Sequence, residues 1–324
     1  MLRSLILLAL SLALLVLLFF AAFVPSAQGP GHEFVTAWGG PGDGPGEFDD
    51  PTGIAVTAEE VFVADARNGR IQVFDHAGRF RRQFGTPGAA PGELGRPMNL
   101  SLHADELYVA DYFNDRIQVF AFDGTPLRTL GEAGDGPGRF DAPGGVDVAT
   151  DGDVIVADFY HHRVQRLAPD GSFVRQWGHT GKSGSAAGEF GYPTDVAVAD
   201  DGRFYVADGY NDRVQAFGPD GDFLTMWGGP FARNVHGPFN GWFATVTGIA
   251  VGPAGRVFVA DFYNDRIQVF SAEGDFLGAF GETGQGPGRF RHPIAMDVSP
   301  DGSVFVADFG NERIHKWRPA APGP

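Results

Sequence analysis

The stretch Val259–Phe270 reads VADFYNDRIQVF, and close variants of it recur along the whole chain. The steps between the aspartates of successive copies are 46, 47, 50, 53 and 47 residues. A unit repeated at such a period predicts one repeat architecture and not several unrelated domains. Six copies fill residues 31–318, so we predict a single large domain there. The six aspartates are Asp65, Asp111, Asp158, Asp208, Asp261 and Asp308.

Each copy contains four short strand signals separated by turn signals. In the fifth copy these signals are residues 248–251, 257–260, 266–270 and 275–280, and the third of them alternates like a half-buried strand. Asp-Gly pairs, which favour tight hairpins, stand between the strand signals in most copies. A four-stranded antiparallel unit of this length is typical of a propeller blade. The sequence therefore predicts an all-β fold, a six-bladed β-propeller.

The sixth copy has only three strand signals before the tail at residues 319–324. Residues 33–38, which read EFVTAW, have the pattern of the missing fourth strand. We therefore expect the N-terminal strand to complete the last blade. Such closure leaves no unprotected sheet edge.

The first thirty residues form a separate segment. After Arg3, residues 5–24 carry no charge, and twenty helical residues match the thickness of a bilayer core. Small residues at 24–27 also fit the cleavage site of a signal peptide. We keep both interpretations of residues 1–30, a hydrophobic membrane-anchor helix or a signal peptide. The positive-inside rule then places the propeller outside the cytoplasm, either membrane-anchored in the periplasm or extracellular space or secreted.

Composition excludes several classes of protein. The 48 glycines and 23 prolines, beside 43% apolar residues, favour many short elements joined by tight turns. The formal net charge of -16 opposes nucleic-acid binding, which needs a basic surface. The chain has no cysteine, so disulfides, thiolate metal sites and a cysteine nucleophile are excluded.

The motif in Val259–Phe270 resembles the NHL repeat, and the resemblance covers the chain after the leader. It implies a six-bladed propeller and leaves the function open, because many activities share this scaffold. Some NHL propellers bind RNA through basic surfaces, which the acidic balance here does not support.

The repeated polar residues are expected to serve the blades. Each of the six aspartates precedes an arginine by five residues, and a feature present in every repeat is typically structural. We expect each aspartate to order its own turn and each arginine to pair with a nearby carboxylate. In the third copy, His161 and His162 replace the usual Asn-Asp, Asn-Gly or Asn-Glu pair. We expect an exposed turn there, with a metal or proton-relay role as the alternative.

Residues 192–198 and 205–211 resemble a blade of the peptidyl-hydroxyglycine amidating lyases, which are six-bladed and hold a channel zinc through histidines. Asp195 and Tyr210 match that blade. The ligand segments of those lyases fall on residues 246–248 and 293–295, which contain no histidine, so the zinc ligands are not matched.

A second enzyme class would be the calcium-dependent, lactonase-like propellers. Calcium needs several converging oxygen ligands, and Asn99, Asp147, Asp195 and Asp297 stand in first strands, which line the channel. The weak metal candidates are therefore Asp147, Asp195, Asp297, His161 and His162. We predict no cofactor, with calcium or zinc as the alternative for a metal-dependent lyase or hydrolase.

Aromatic residues occur in the turns between the second and third strands. Antiparallel order places these turns on the same face as the links between blades, which makes this face the best candidate for a binding surface. The alternative is that the rings pack between blades. The candidate tyrosines are Tyr112, Tyr160, Tyr210 and Tyr263.

The link between the fourth and fifth copies departs from the Gly-Pro-rich formula of the others. Residues 231–243, which we call the insertion loop, carry an aromatic insertion that a rigid scaffold could present for recognition. A simple packing variation is the alternative. The candidate residues are Phe231, Arg233, Asn234, His236, Phe239 and Trp242.

Taken together, these features predict a non-catalytic binding or scaffold protein. Its partner would be a protein, a peptide or an envelope ligand, and it would meet the membrane through the N-terminal helix.

Overall fold

The computed structural model describes residues 11–19 and 23–321. It contains six four-stranded antiparallel sheets, which confirms the all-β, six-bladed propeller. The strands are β1 (His32–Gly39), β2 (Pro51–Val56), β3 (Glu60–Asp65), β4 (Arg70–Asp75), β5 (Phe80–Phe84), β6 (Thr86–Pro87), β7 (Glu93–Leu94), β8 (Pro97–His103), β9 (Glu106–Asp111), β10 (Arg116–Ala121), β11 (Pro126–Leu130), β12 (Pro143–Val148), β13 (Val154–Asp158), β14 (Arg163–Leu167), β15 (Phe173–Gly178), β16 (Pro193–Val198), β17 (Phe204–Asp208), β18 (Arg213–Phe217), β19 (Phe223–Trp227), β20 (Val246–Gly252), β21 (Arg256–Asp261), β22 (Arg266–Phe270), β23 (Phe276–Phe280), β24 (Glu282–Thr283), β25 (Arg289–Phe290), β26 (Pro293–Val298), β27 (Val304–Asp308) and β28 (Arg313–Pro319).

Within residues 11–19 and 23–321, helical structure is confined to short segments. Residues 11–19 are helical, and none of the helices in the described part of the chain is long and apolar enough to span a bilayer. The predicted leader also includes residues 1–10 and 20–22, and the tail includes 322–324, all of which lie outside the described residues. Six 3₁₀ turns are Tyr112–Asn114, Gly209–Asn211, Pro230–Ala232, Pro253–Gly255, Phe262–Asn264 and Phe309–Asn311.

The first strand of each blade lies at the central channel and the fourth at the outside. Inner strands of neighbouring blades contact one another around the ring, and β26 of blade six meets β2 of blade one. In blade six the order outward is β26, β27, β28 and β1. The N-terminal strand β1 is therefore the outer strand of the last blade, with Glu33 opposite Arg318 and Trp38 opposite Ile314.

The hydrophobic core is divided among the seams between blades. Six buried clusters occur in the described residues, and each combines residues of two neighbouring blades. Hairpin glycines make this packing possible on the outer side. Gly221 of blade four has φ 79°, and a Cβ there would lie 2.3 Å from the Trp177 ring of blade three. A side chain at this turn would therefore separate the two blades.

In blades two to six, hydrogen bonds at the turn after the second strand also join neighbouring blades. Asp212 ends this turn in blade four with φ 50°, and its Oδ1 accepts the N–H of Thr245, which has φ 60°, at 2.7 Å. The bond holds a residue of blade five in a left-handed conformation that a β-branched residue otherwise avoids. Equivalent bonds join Asp115 to Ala142, His162 to Tyr192, Asp265 to His292 and Glu312 to Asp50.

Blade six departs from the others at His315. Five blades carry glutamine at this position, and each glutamine bonds a glycine N–H and a carbonyl of the preceding link, as Gln268 does with Gly241 and Trp242. His315 is fully buried; its Nε2 lies 3.3 Å from Asp308 Oδ2, but neither ring nitrogen has a hydrogen bond to the preceding link within the described residues. The other four glutamines are Gln72, Gln118, Gln165 and Gln215.

Replacing His315 with glutamine is expected to stabilise the protein by about 1 kcal/mol. The glutamine can restore both bonds to the link before blade six, while the loss of ring packing against Phe290 offsets part of the gain. Urea unfolding followed by circular dichroism measures the change. The reciprocal variant Gln268→His is the matched control and should destabilise; an equal effect of the two substitutions would contradict the explanation.

Candidate functional site

The repeated Asp, Asn, Arg and Gln residues form one buried network in each blade. In blade four, Arg213 Nε donates to Asp208 Oδ2 at 2.7 Å, and Asn211 and Gln215 donate to the same oxygen. The other oxygen, Oδ1, accepts the N–H of Gly191 in the preceding link at 2.7 Å. The aspartate thus accepts a backbone N–H of the preceding link, and not of its own turn as we had expected. Burial raises the pKa of Asp208, and the Arg213 charge opposes that shift. These carboxylates have structural partners throughout.

The two histidines of blade three do not form an exposed turn, so that expectation is wrong. Both are buried, because each replaces a residue of a blade network. His161 occupies the asparagine position, with Nδ1 2.9 Å from Asp158 Oδ2 and Nε2 3.0 Å from Asp135 Oδ1. His162 Nδ1 accepts the Tyr192 N–H at 3.1 Å, and burial lowers the pKa of His162, which favours the neutral ring that can accept. The side chains bond to different links and do not converge on one ion.

The three channel aspartates join the inner strands of neighbouring blades. Asp195 Oδ1 accepts a hydrogen bond from the N–H of the next residue, Val196. Its Oδ2 accepts one from the N–H of Ile249 in blade five at 2.9 Å. Asp147 bonds in the same way to Val148 and Val198, and Asp297 to Val298 and Val56. Burial raises the pKa of Asp195 well above its ordinary value and that of Asp297 to about 7. Both oxygens of each carboxylate are therefore engaged by backbone N–H groups.

Among the described residues, a different group of carboxylates lies close enough to share one ion. Asp49, Asp50 and Glu312 have ligand oxygens within 4.8 Å of one another. Arg67 and Arg96 already pair with Asp50 at 2.6 and 3.0 Å. The cations neutralise much of the negative charge that would attract a metal ion.

An aromatic cavity opens at the end of the channel where the links and the second-to-third-strand turns lie. Its volume is about 400 Å³. We call its rim, formed by Tyr112, Phe113, Phe159 and Tyr160, the aromatic mouth. The Tyr112 and Tyr160 ring centres are 6.2 Å apart, and burial, then the Tyr160 hydroxyl, raises the pKa of Tyr112. Phe113 is 64% exposed, so its ring is available to a partner.

Arg96, which also pairs with Asp50, extends the aromatic mouth with its guanidinium group. Its guanidinium lies 5.6 Å from the centre of the Phe113 ring and lines the cavity. The row of rings continues through Tyr192 to Tyr210, whose centres are 4.7 Å apart. Neither Arg96 nor Tyr192 was a predicted site residue, because both lie in links and meet the aromatic residues only when neighbouring blades pack together.

The four candidate tyrosines fall into two groups. Tyr112, Tyr160 and Tyr210 belong to the continuous row on blades two to four. Tyr263 of blade five instead contacts His292, with ring centres 5.5 Å apart, and does not line the cavity. The structure therefore unites three of the four.

The residues that take the places of the lyase zinc ligands also line the aromatic mouth cavity. Thr247 and Ile294 stand where the resemblance to amidating lyases would require histidine. A threonine hydroxyl and a hydrocarbon side chain do not provide the imidazole ligands that zinc prefers. The residues of this cavity therefore do not fit that zinc site.

The insertion loop is already in contact with another part of the chain. Trp242 Nε1 donates to the carbonyl oxygen of Phe23 at 2.6 Å, and Asn240 Nδ2 donates to that of Pro25 at 3.2 Å. The Phe231 and Phe23 ring centres are 5.1 Å apart. Trp242 is consequently buried, and Phe239 packs against it. Arg233, Asn234 and His236 remain exposed.

Four segments of the chain match the family described as the NHL repeat, residues 48–74, 140–167, 190–217 and 243–270. Over 40 residues the chain is 52% identical to the Drosophila melanogaster protein named Protein brain tumor. That match covers 12% of this chain and 4% of that protein, so the chain spans only a small part of this relative.

Several solved structures resemble the whole propeller. A Bacteroides thetaiotaomicron protein of unknown function aligns with a TM-score of 0.65 at 14% identity, covering 91% of this chain and 75% of that one. Virginiamycin B lyase from Staphylococcus aureus aligns with a TM-score of 0.58 at 16% identity, covering 89% and 100%. The WD40 propeller domain of Doa1 gives 0.61 at 12% identity, covering 89% and 97%. At these identities the likeness shows the fold alone.

Proposed function

We propose that this chain, an NHL-repeat protein with a six-bladed β-propeller fold, binds a protein or peptide at its aromatic mouth. The observation that supports this function is the row of partly exposed rings around a cavity of about 400 Å³. Cavities of this size lined by aromatic side chains and a few polar groups are typical of ligand sites. The repeated network residues are satisfied internally, whereas the aromatic side chains of the mouth keep contact surface for a partner.

The mechanism is recognition by preformed anchors. Aromatic rings supply a large contact area at a small cost in conformational entropy, and arginine adds a directional charge. Phe113 and Tyr160 are exposed, while Tyr112 behind them is half-buried. An apolar side chain of the partner would enter between these rings, and Arg96 would face an acceptor beside it.

Binding is tested by selecting peptides on the full-length protein and comparing their affinity for two variants. Phe113→Ala is expected to weaken binding by roughly 10- to 100-fold, as for a central hot spot. Tyr263→Ala is the matched control, because Tyr263 lies on the same face with 63% exposure against 64% for Phe113 but outside the cavity. If the two substitutions weaken peptide binding equally, or if neither weakens it, the aromatic mouth is not the binding site.

We also propose that the propeller works outside the cytoplasm. The support is the charge-free run at residues 5–24 after Arg3. A C-terminal fusion to alkaline phosphatase, which is active only after export, should be active; activity of a β-galactosidase fusion in its place would reject this location.

A further inference from the structure

Two segments of the chain lack acidic residues, and these two segments meet in the structure. Residues 1–32 and 223–260 contain no Asp or Glu, although the chain has a net charge of -16. They are its two longest stretches of this kind. The insertion loop belongs to the second stretch, and its Trp242 holds the carbonyl oxygen of Phe23 in the first. Carboxylates are therefore absent from the sequence of both partners in this contact.

The N-terminal segment is also fixed beyond the insertion loop. The N–H groups of Gln28 and Gly29 donate to the carbonyl oxygen of Leu277 in β23 at 2.9 and 2.7 Å. A Cβ on Gly29 would lie 3.1 Å from Leu277 Cβ, so the backbone runs close to the edge of blade five. The segment then continues into β1. The leader thus joins the propeller at a defined place on blade five and not through a free tether.

An apolar surface extends from this junction. The helix at residues 11–19 is exposed along its length, with its leucines and Val16 between 48 and 66% exposed. Next to its end, Phe231 is 71% exposed and Val235 is 40% exposed. A helix that is apolar on all sides needs apolar surroundings. The same surroundings would receive Phe231, whose ring contacts Phe23 beside the helix, and Val235, which lies four positions further along the same loop.

We infer that the insertion loop docks on a lipid bilayer together with the leader, which orients the propeller on the membrane. Phe231 and Val235 lie in the interfacial region, where aromatic side chains are favoured. Arg233 is exposed and faces anionic headgroups, which attract such side chains, whereas His236, although exposed, has its Nδ1 4.0 Å from Asp212 Oδ2. An acidic surface elsewhere on the chain would be repelled by the same headgroups. This inference does not depend on the partner at the aromatic mouth.

The experiment uses the absence of cysteine in the chain. Single variants Phe231→Cys and Val235→Cys are made in the full-length protein, labelled with an environment-sensitive fluorophore, and reconstituted into vesicles of phosphatidylcholine and phosphatidylglycerol. Both labels should shift their emission to shorter wavelengths and lose intensity when the acyl chains are brominated. Leu127→Cys on blade two is the matched control, with 47% exposure, and should show neither change.

Labels at 231 and 235 that behave like the label at 127 would overturn the inference. A wavelength shift without quenching by brominated lipid would also overturn it, since a second copy of the chain would then cover the loop. Equal melting temperatures for the three variants exclude unfolding as the cause, and Val235→Cys serves if Phe231→Cys fails to fold.

A charge reversal tests the headgroup assignment. Arg233→Glu in the Val235→Cys background should reduce quenching in the phosphatidylglycerol vesicles and leave it unchanged in pure phosphatidylcholine. Unchanged quenching in both would overturn the role of anionic headgroups. Peptide binding that depends on Phe113 and persists while the loop labels are not quenched would reject this inference and leave the proposed function standing.

Discussion

Replacing Arg213 with methionine should lower the free energy of unfolding by about 3–5 kcal/mol. The Arg213 side chain is fully buried and pairs with Asp208, which is also fully buried. Its guanidinium further donates to the carbonyl oxygens of Ser185, Ala186 and Glu189 in the preceding link. Methionine fills much of the volume but leaves the buried Asp208 carboxylate without its countercharge and removes a donor from each of these carbonyls. Urea unfolding followed by circular dichroism measures the loss.

The matched control is Arg313→Met in blade six. Arg313 makes the same pair with Asp308 and bonds its own link, but its side chain is 18% exposed, so water can reach the broken network. We expect a clearly smaller loss than for Arg213. Equal losses for the two variants would show that burial of the pair does not determine its contribution.

Replacing Asp195 with alanine should destabilise the protein by about 2–4 kcal/mol. The substitution leaves the N–H groups of Val196 and Ile249 without an acceptor inside the channel wall, and each unsatisfied buried group costs about 1–3 kcal/mol. Asp195→Asn is the matched control, since its single carbonyl oxygen can keep one of the two bonds, and it should lose about half as much. Chemical denaturation of the three proteins provides the comparison.

The same variants distinguish a structural aspartate from a calcium ligand. If Asp195 held calcium, a saturating concentration, about 100 times the dissociation constant, would stabilise the unmodified protein by about 2.7 kcal/mol and leave Asp195→Ala unaffected. We expect calcium and zinc to leave the melting temperatures of both proteins unchanged. A calcium-dependent rise that disappears in the variant would instead favour the metal-dependent alternative.

The sequence was sufficient to predict the propeller because its decisive signal is local and repeated. The Val-Ala-Asp copies specify strand, turn and strand six times. The length of one copy indicates a four-stranded blade, and the number of copies gives the number of blades. The same repetition predicted that Asp208 pairs with a nearby arginine. It did not predict that Asp208 accepts the N–H of Gly191, because that bond requires a link to pass over the turn. That close approach is a property of the folded ring.

Residues that depart from the repeat were harder to interpret. His161 and His162 looked like an exposed turn, because sequence shows the substitution for asparagine but not the carboxylate of Asp135 that the link brings 3.0 Å away. For the insertion loop the sequence left recognition and simple packing open, and it does not show that Asn240 and Trp242 contact Pro25 and Phe23, which lie 215 and 219 positions earlier in the chain. The sequence also does not show that Tyr112, Tyr160 and Tyr210 form one row of aromatic side chains while Tyr263 lies outside it. That grouping depends on how neighbouring blades pack.

Because β1 pairs with β28, the last blade cannot be completed until almost the whole chain has been synthesised. Glu33 and Arg318 form an ion pair across these two strands although they are 285 positions apart in the chain. At translation rates of roughly 5–20 residues per second, β1 leaves the ribosome about 15 to 60 s before its partner is complete. During that interval the ring is open and the newborn chain exposes two unsatisfied sheet edges. Chaperone protection over this period, or premature termination before Arg313, would decide whether a finished ring or an aggregating fragment is produced.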